Sequence, residues 1–335
     1  MSEPKRISRR EFLGGSLAAA GAMGLVAGAA RAGAAPAAAT GPAGTPSPAA
    51  APESVPCGTI GKARIGRLLV GGNLISGYTH SRDLMYVNRL FKAYVNDDKI
   101  LQTLKLAESH GVNTVFETGA NYVQRFNREF GGHMQFIPHI EVSQDQTESA
   151  LLDHIQKQVD SGAVALYVWG VSGDKMVQAG AIDRIKRAVD LAKAHELPVG
   201  VGSHSLLVPM ACEKAKVPCD FYVKTLHRDD YPSATPKELR KEFIWLDGGK
   251  GWYDNMWCIN PEETIEFMKT VQKPWIAFKV LAAGAIHPRE GFAHAFDNGA
   301  DFIAVGMFDF QVEEDCDLAC GAIRRAQKRP RPWRA

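Results

Sequence analysis

The 335-residue chain lacks an excess of charge: 39 Lys and Arg stand against 37 Asp and Glu, a formal net charge of +2. That balance excludes the basic footprint of a dedicated nucleic-acid binder. With 45% hydrophobic residues the chain is also too apolar to be disordered. No CxxC pair is present, so no structural zinc knot is written into it, and no HxH pair opens the first expected strand. The glycine-rich stretches Gly71-Gly72-Asn73 and Asp247-Gly248-Gly249-Lys250-Gly251 match no phosphate-cradling motif and read as turns. Six cysteines occur (Cys57, Cys212, Cys219, Cys258, Cys316 and Cys320), but their spacings fix no pairing. Cys316 and Cys320, four apart on an expected helix, suit two buried thiols better than a disulfide.

What is there begins with a basic start (Lys5, Arg6, Arg9, Arg10), an Ala/Gly-rich apolar run from Phe12 to Ala30, and an Ala/Pro-rich tract. This is the layout of a secretory signal with a small-residue cleavage site at Ala30-Arg31-Ala32. Ser8-Arg9-Arg10-Glu11-Phe12-Leu13 resembles the twin-arginine export motif. The expected organisation is a signal peptide over 1–32, a flexible linker over 33–60, a catalytic domain over 61–328 and a solvated basic tail over 329–335. The resemblance implies the twin-arginine export machinery as a partner, a periplasmic or extracellular location, and no permanent membrane anchor.

From residue 64 onward apolar runs alternate with amphipathic segments. Strands are expected over 68–72, 114–117, 135–141, 165–169, 199–203, 221–226, 276–281 and 302–307. Helices are expected over 98–110, 122–130, 148–161, 182–195, 206–214, 261–271, 289–298 and 313–327. Gly or Pro returns the chain after each helix, as in His110-Gly111-Val112 and Lys273-Pro274. Eight strands, each followed by a helix, predict a single-domain (β/α)8 barrel.

In such barrels chemistry sits at the C-terminal strand ends. Glu117 ends the second expected strand, His139 and Glu141 share a face of the third, and Ser203-His204 end the fifth. Lys224 and then His227 lie on the sixth, and Lys279 lies in an apolar run on the seventh. A strand lysine is costly unless paired or functional; desolvation and a like-charged neighbour lower its pKa and supply the neutral amine that imine formation needs. Long loops over 74–97 and 228–260 follow the first and sixth strands, the second rich in Tyr231, Trp245, Trp252, Tyr253 and Trp257. Asn73, Trp169, His227, Tyr231 and Asn255 are the expected substrate-binding residues.

Asp220-Phe221-Tyr222-Val223-Lys224-Thr225 resembles the strand-six segment of class I deoxyribose-phosphate aldolases, and Phe278-Lys279-Val280-Leu281-Ala282-Ala283-Gly284-Ala285-Ile286 resembles their strand-seven segment. That resemblance implies Lys224 as the Schiff-base lysine and Lys279 as the neighbour that lowers its pKa. Ala282 and Ala283 stand where that family has Ser and Gly. Arg64-Ile65-Gly66-Arg67-Leu68-Leu69-Val70-Gly71-Gly72-Asn73 and Gly111-Val112-Asn113-Thr114-Val115-Phe116-Glu117-Thr118-Gly119-Ala120-Asn121-Tyr122 are similar to aldo-keto reductase segments. This second resemblance implies Glu117 and Tyr122 in the catalytic Asp and Tyr positions. The third strand, however, brings no lysine, and the fourth ends in Trp169-Gly170 where that family has a histidine.

The leading expectation is an exported lyase acting on a small carbonyl, sugar-derived compound through a Schiff base, with Lys224, Lys279, Glu117, Glu141 and His204 catalytic and no cofactor. One alternative is a metal-dependent hydrolase or sugar isomerase holding zinc or manganese on His139, Glu141, His204 and His227. Others are a degenerate aldo-keto reductase and a non-catalytic sugar-binding barrel.

Overall fold

The computed structural model describes residues 53–241 and 256–335. The expected signal peptide, most of the linker, and Asn255 lie outside the described residues. Eight parallel strands close into a barrel: β3 (Leu68–Gly71), β4 (Thr114–Glu117), β5 (Gln135–Ile140), β6 (Leu166–Val168), β7 (Val199–Ser203), β8 (Phe221–Thr225), β9 (Trp275–Phe278) and β10 (Phe302–Val305). Each pairs with the next in sequence, and β10 pairs with β3 through Ile303↔Leu68 to Val305↔Val70. The chain is a (β/α)8 barrel, as its strand–helix alternation predicts.

Alternation along each strand divides the core in two. Leu69, Phe116, Ile137, Tyr167, Phe221, Val223, Ile276, Phe302 and Ala304 point inward and fill the barrel. Their neighbours Leu68, Val70, Val115, Phe136, Val168, Val201, Tyr222, Ala277 and Ile303 point outward into the helical layer. Phe116 and Tyr167 stack inside the barrel at 4.8 Å between ring centroids. Gly71 marks a close approach of β3 to the chain beyond β10, because a Cβ there would lie 2.8 Å from the Gly306 nitrogen.

The helices form where apolar spacing and caps agree. In α2 (Asp97–Ser109), Asn96 accepts a hydrogen bond from the Lys99 nitrogen, Asp97 and Asp98 fill the first turn, and Ile100, Leu101, Leu104 and Ala107 are buried. Two helices were not expected from the spacing. One is α1 (Met85–Tyr94), inside the long first loop. The other is α5 (Gly170–Gln178), packed against the barrel. Among the described residues no helix is long and apolar enough to cross a membrane.

The N-terminal end of the barrel corrects two expectations. The linker was expected to reach residue 60, but β1 (Cys57–Ile60) pairs antiparallel with β2 (Ala63–Gly66). Ile60 and Ile65, both fully buried, join the inward cluster, so the hairpin plugs the barrel floor. The 329–335 tail is not solvated either. Asp301 accepts hydrogen bonds from Arg329 at 2.9 Å, Arg331 at 2.8 Å, the Trp275 nitrogen at 3.0 Å and the Arg334 nitrogen at 2.8 Å. Arg331 also donates to the carbonyls of Met268, Gly299 and Lys273. The guanidinium groups of Arg67 and Arg329 lie over the Trp333 ring, 4.0 and 3.5 Å from its centroid. A run of positive charge reads as solvated only until a buried carboxylate distant in sequence is brought beneath it.

Candidate active site

At the opposite end, the tips of β3, β4, β9 and β10 surround a cavity of about 280 Å³. Its polar residues include Asn73, Tyr78, Thr79, His80, Glu117, Lys279 and Gln311, set in a mostly apolar lining. Alternation alone would send Glu117 and Lys279 the other way, since each follows an inward-facing residue, Phe116 and Phe278. Both have left-handed backbone, φ +80° at Glu117 and +57° at Lys279, and this turn at the strand end swings each side chain into the cavity. His80 is also left-handed, at φ +48°. Non-glycine residues seldom adopt this conformation, and such strain gathers where function over-determines the backbone.

The Lys279 amine lies 3.0 Å from His80 Nε2 and 4.1 Å from the centroid of the Trp257 ring. Asn73 Nδ2 reaches the same imidazole nitrogen at 3.2 Å. His80 Nε2 thus lies within hydrogen-bond reach of both the lysine amine and the asparagine amide. A base is thereby placed against the amine. On the other side, Trp169 Nε1 donates to Glu117 Oε1 at 3.0 Å and orients the carboxylate. The Trp169 ring stacks on His139 at 5.3 Å, and His139 Nδ1 meets the Glu117 carbonyl at 3.2 Å.

Lys224 is elsewhere, which corrects the expectation that the two lysines share a pocket. It has the parity of Tyr222, not of Phe221 and Val223, and so leaves the barrel outward. There it is fully buried, its amine donating to the carbonyl and hydroxyl of Thr225 at 2.9 Å and lying 3.9 Å from Cys258 Sγ. A lysine one residue out of phase with the interior cannot reach a substrate on the barrel axis.

The four expected metal ligands are also dispersed. His227 donates from Nδ1 to the Arg228 carbonyl at 2.7 Å, and its Nε2 accepts from the Trp257 and Cys258 nitrogens at 3.0 and 2.9 Å. Both ring nitrogens are occupied, and burial pushes the imidazole down to about 4, so it is a neutral tie for the 256–258 segment and not a ligand. His204 is buried against Asp174, with Nδ1 to Oδ2 at 2.8 Å, and desolvation lowers its pKa despite that carboxylate. Only His139 and Glu141 face each other, at 3.6 Å, and hydrogen bonding to the imidazole lowers the largely exposed Glu141 carboxyl. Among the described residues, no three His, Cys, Asp or Glu gather to hold a metal.

Tyr122, the expected partner of Glu117 in a reductase, lies on α3 (Ala120–Phe130) and donates to Asp97 at 2.8 Å, outside the cavity lining. Tyr231 packs edge-on against His227 and with Ala282 and Ile286, not in the cavity. Of the expected residues, the cavity gathers Asn73, Glu117 and Lys279; Trp169 acts from behind Glu117. His80 was not foreseen. The only sign of it in the sequence was a histidine in a long loop after a strand end.

No family model matches the chain, and no curated protein matches it. Solved structures do resemble it. A protein from Pseudomonas aeruginosa described as an aldo-keto reductase is 12% identical, covering 81% of this chain and 97% of its own, with a TM-score of 0.54. A mandelate oxidase variant, 14% identical, covers 84% and 80% at a TM-score of 0.47. A truncated 3-deoxy-D-arabino-heptulosonate 7-phosphate synthase from Thermotoga maritima, 12% identical, covers 82% and 92% at 0.42. At these identities likeness speaks to architecture alone, and the first of them agrees with the closed sheet in placing the chain among (β/α)8 barrels.

Proposed function

We propose that the chain is an exported barrel enzyme, a lyase that acts on a small carbonyl compound through an imine formed at Lys279. The observation that carries this is the Lys279 amine, turned into the strand-end cavity and held against His80 Nε2, with the Glu117 carboxylate lining the same space. His80 Nε2 takes a proton from the ammonium, and the neutral amine adds to the substrate carbonyl carbon. The His80 imidazolium returns that proton to the carbinolamine hydroxyl, and departure of water leaves an iminium, a cation stabilised by the Trp257 face on which the amine already rests. Glu117 then takes the proton of a β-hydroxyl group as the adjacent C–C bond breaks, with the electron pair passing to the iminium nitrogen. An aldehyde departs, an enamine remains, and protonation and hydrolysis return the amine. Export is part of the same proposal, resting on the twin-arginine resemblance near the N-terminus.

Borohydride reduction in the presence of a panel of aldehydes and ketones, followed by peptide mass analysis, tests the assignment. A stable adduct on Lys279, lost in Lys279→Arg and kept in Lys224→Met, is the expected result. An adduct on Lys224, or none with any carbonyl, overturns it.

A further inference from the structure

The lining of the same cavity defines what its substrate must look like. Asn73, His80 and Lys279 meet at one place in it, His80 Nε2 lying 3.2 Å from Asn73 Nδ2 and 3.0 Å from Lys279 Nζ, and Glu117 lines the same space. The rest of the lining is mostly apolar, with Phe116, Phe278, Leu281, Val87, Phe91 and Phe308, and its other polar side chains, Tyr78, Thr79 and Gln311, carry no charge. Phe91 and Phe308 meet edge to face at 5.8 Å, and Phe308 stacks on Phe310 at 5.3 Å with its plane only 6° away. Phe310 is 69% exposed, and α1 beside it exposes Met85, Tyr86 and Leu90. The lining beyond the amine is thus mostly apolar and uncharged. A polyol occupying it would leave most of its hydroxyls against apolar side chains, at a cost for each one left unpaired. An alkyl or aryl chain would bury itself there favourably.

We infer that the substrate is amphipathic: a carbonyl group attached to an apolar alkyl or aryl arm, not a sugar and not a phosphorylated compound. The inference depends on the imine reading only for the identity of the reacting group; the arm is set by the wall. The expectation of a sugar-derived substrate is thereby replaced.

Calorimetric titration of the full chain with unreactive alcohols separates the two claims. Along the series from ethanol to hexanol, affinity should tighten by about fourfold per methylene. Glycerol and erythritol should show no saturable binding. Val87→Asp, at a rim position already 43% exposed, should flatten the series without unfolding the barrel. A flat series in the unaltered chain, or erythritol binding as tightly as butanol, overturns the inference. Borohydride labelling then distinguishes the failures. A steep alcohol series with no labelling of Lys279 by hexanal removes the imine and leaves the apolar arm standing. Labelling by hydroxylated aldehydes in preference to hexanal removes the apolar arm and leaves the imine.

Discussion

The two ends of the barrel treat charge in opposite ways. At the floor, Asp301 and Arg331 are wholly buried, and each is met on every side by opposite charge or backbone polar groups. At the mouth, Lys279 lies against an imidazole at 3.0 Å and over an indole at 4.1 Å. The floor spends its charges on one another and holds the fold closed. The mouth turns Glu117, Lys279 and His80 along a cavity, each on left-handed backbone. Burial by itself therefore does not mark a functional charge; what surrounds it does.

Removing one partner at the floor is expected to have the largest effect. Asp301→Ala leaves two buried guanidinium groups without their carboxylate and should cost about 3–5 kcal/mol of unfolding free energy in urea. If the loss is below about 1 kcal/mol, as for an exposed pair, the floor is not the clamp described.

The next effect belongs to acid. His227 is neutral when folded, with its pKa at about 4, whereas in the unfolded chain it takes a proton near 6.5. Between those values the unfolded state binds more protons, so stability is complete above pH 6.5 and lost as pH falls toward 4. The loss amounts to about 3 kcal/mol from this residue, and His204, also lowered, adds in the same direction. Unfolding measured from pH 7 to 4 should show that slope, and His227→Gln should flatten it.

At the mouth the effect should appear in catalysis and not in folding. Glu117→Gln keeps the Trp169 hydrogen bond but removes the base, and should lower kcat by about 100-fold or more with little change in melting temperature. A fall in melting temperature to match would make Glu117 another structural charge. The smallest effect is expected at Tyr122→Phe, where turnover should change by less than about tenfold, short of the loss that a missing catalytic acid causes.

How far the sequence carries is visible in particular residues. The eight strands were legible because short apolar runs bounded by Gly or Pro have few other readings. The hairpin at Cys57–Ile60 was hidden behind the Ala/Pro-rich tract, and its role depends on a barrel that forms elsewhere in the chain. Lys224 was misplaced because a local resemblance does not specify register, although its one-residue offset from Phe221 and Val223 set its parity. Glu117 and Lys279, expected as catalytic, line the cavity for a reason that spacing does not show: alternation points them outward, and left-handed backbone turns them. His80 depended on the path of a long loop, which no spacing encodes.

The floor clamp also depends on the end of the chain. Asp301 sits at the foot of the last barrel strand, while Arg329 and Arg331 follow only after a further helix, α10 (Val312–Arg325). A chain extended only through the eighth strand holds that carboxylate by the Trp275 nitrogen alone and lacks both of its arginine partners. The seam between the first and last barrel strands is thus tied from beneath by residues that lie beyond all eight strands in sequence.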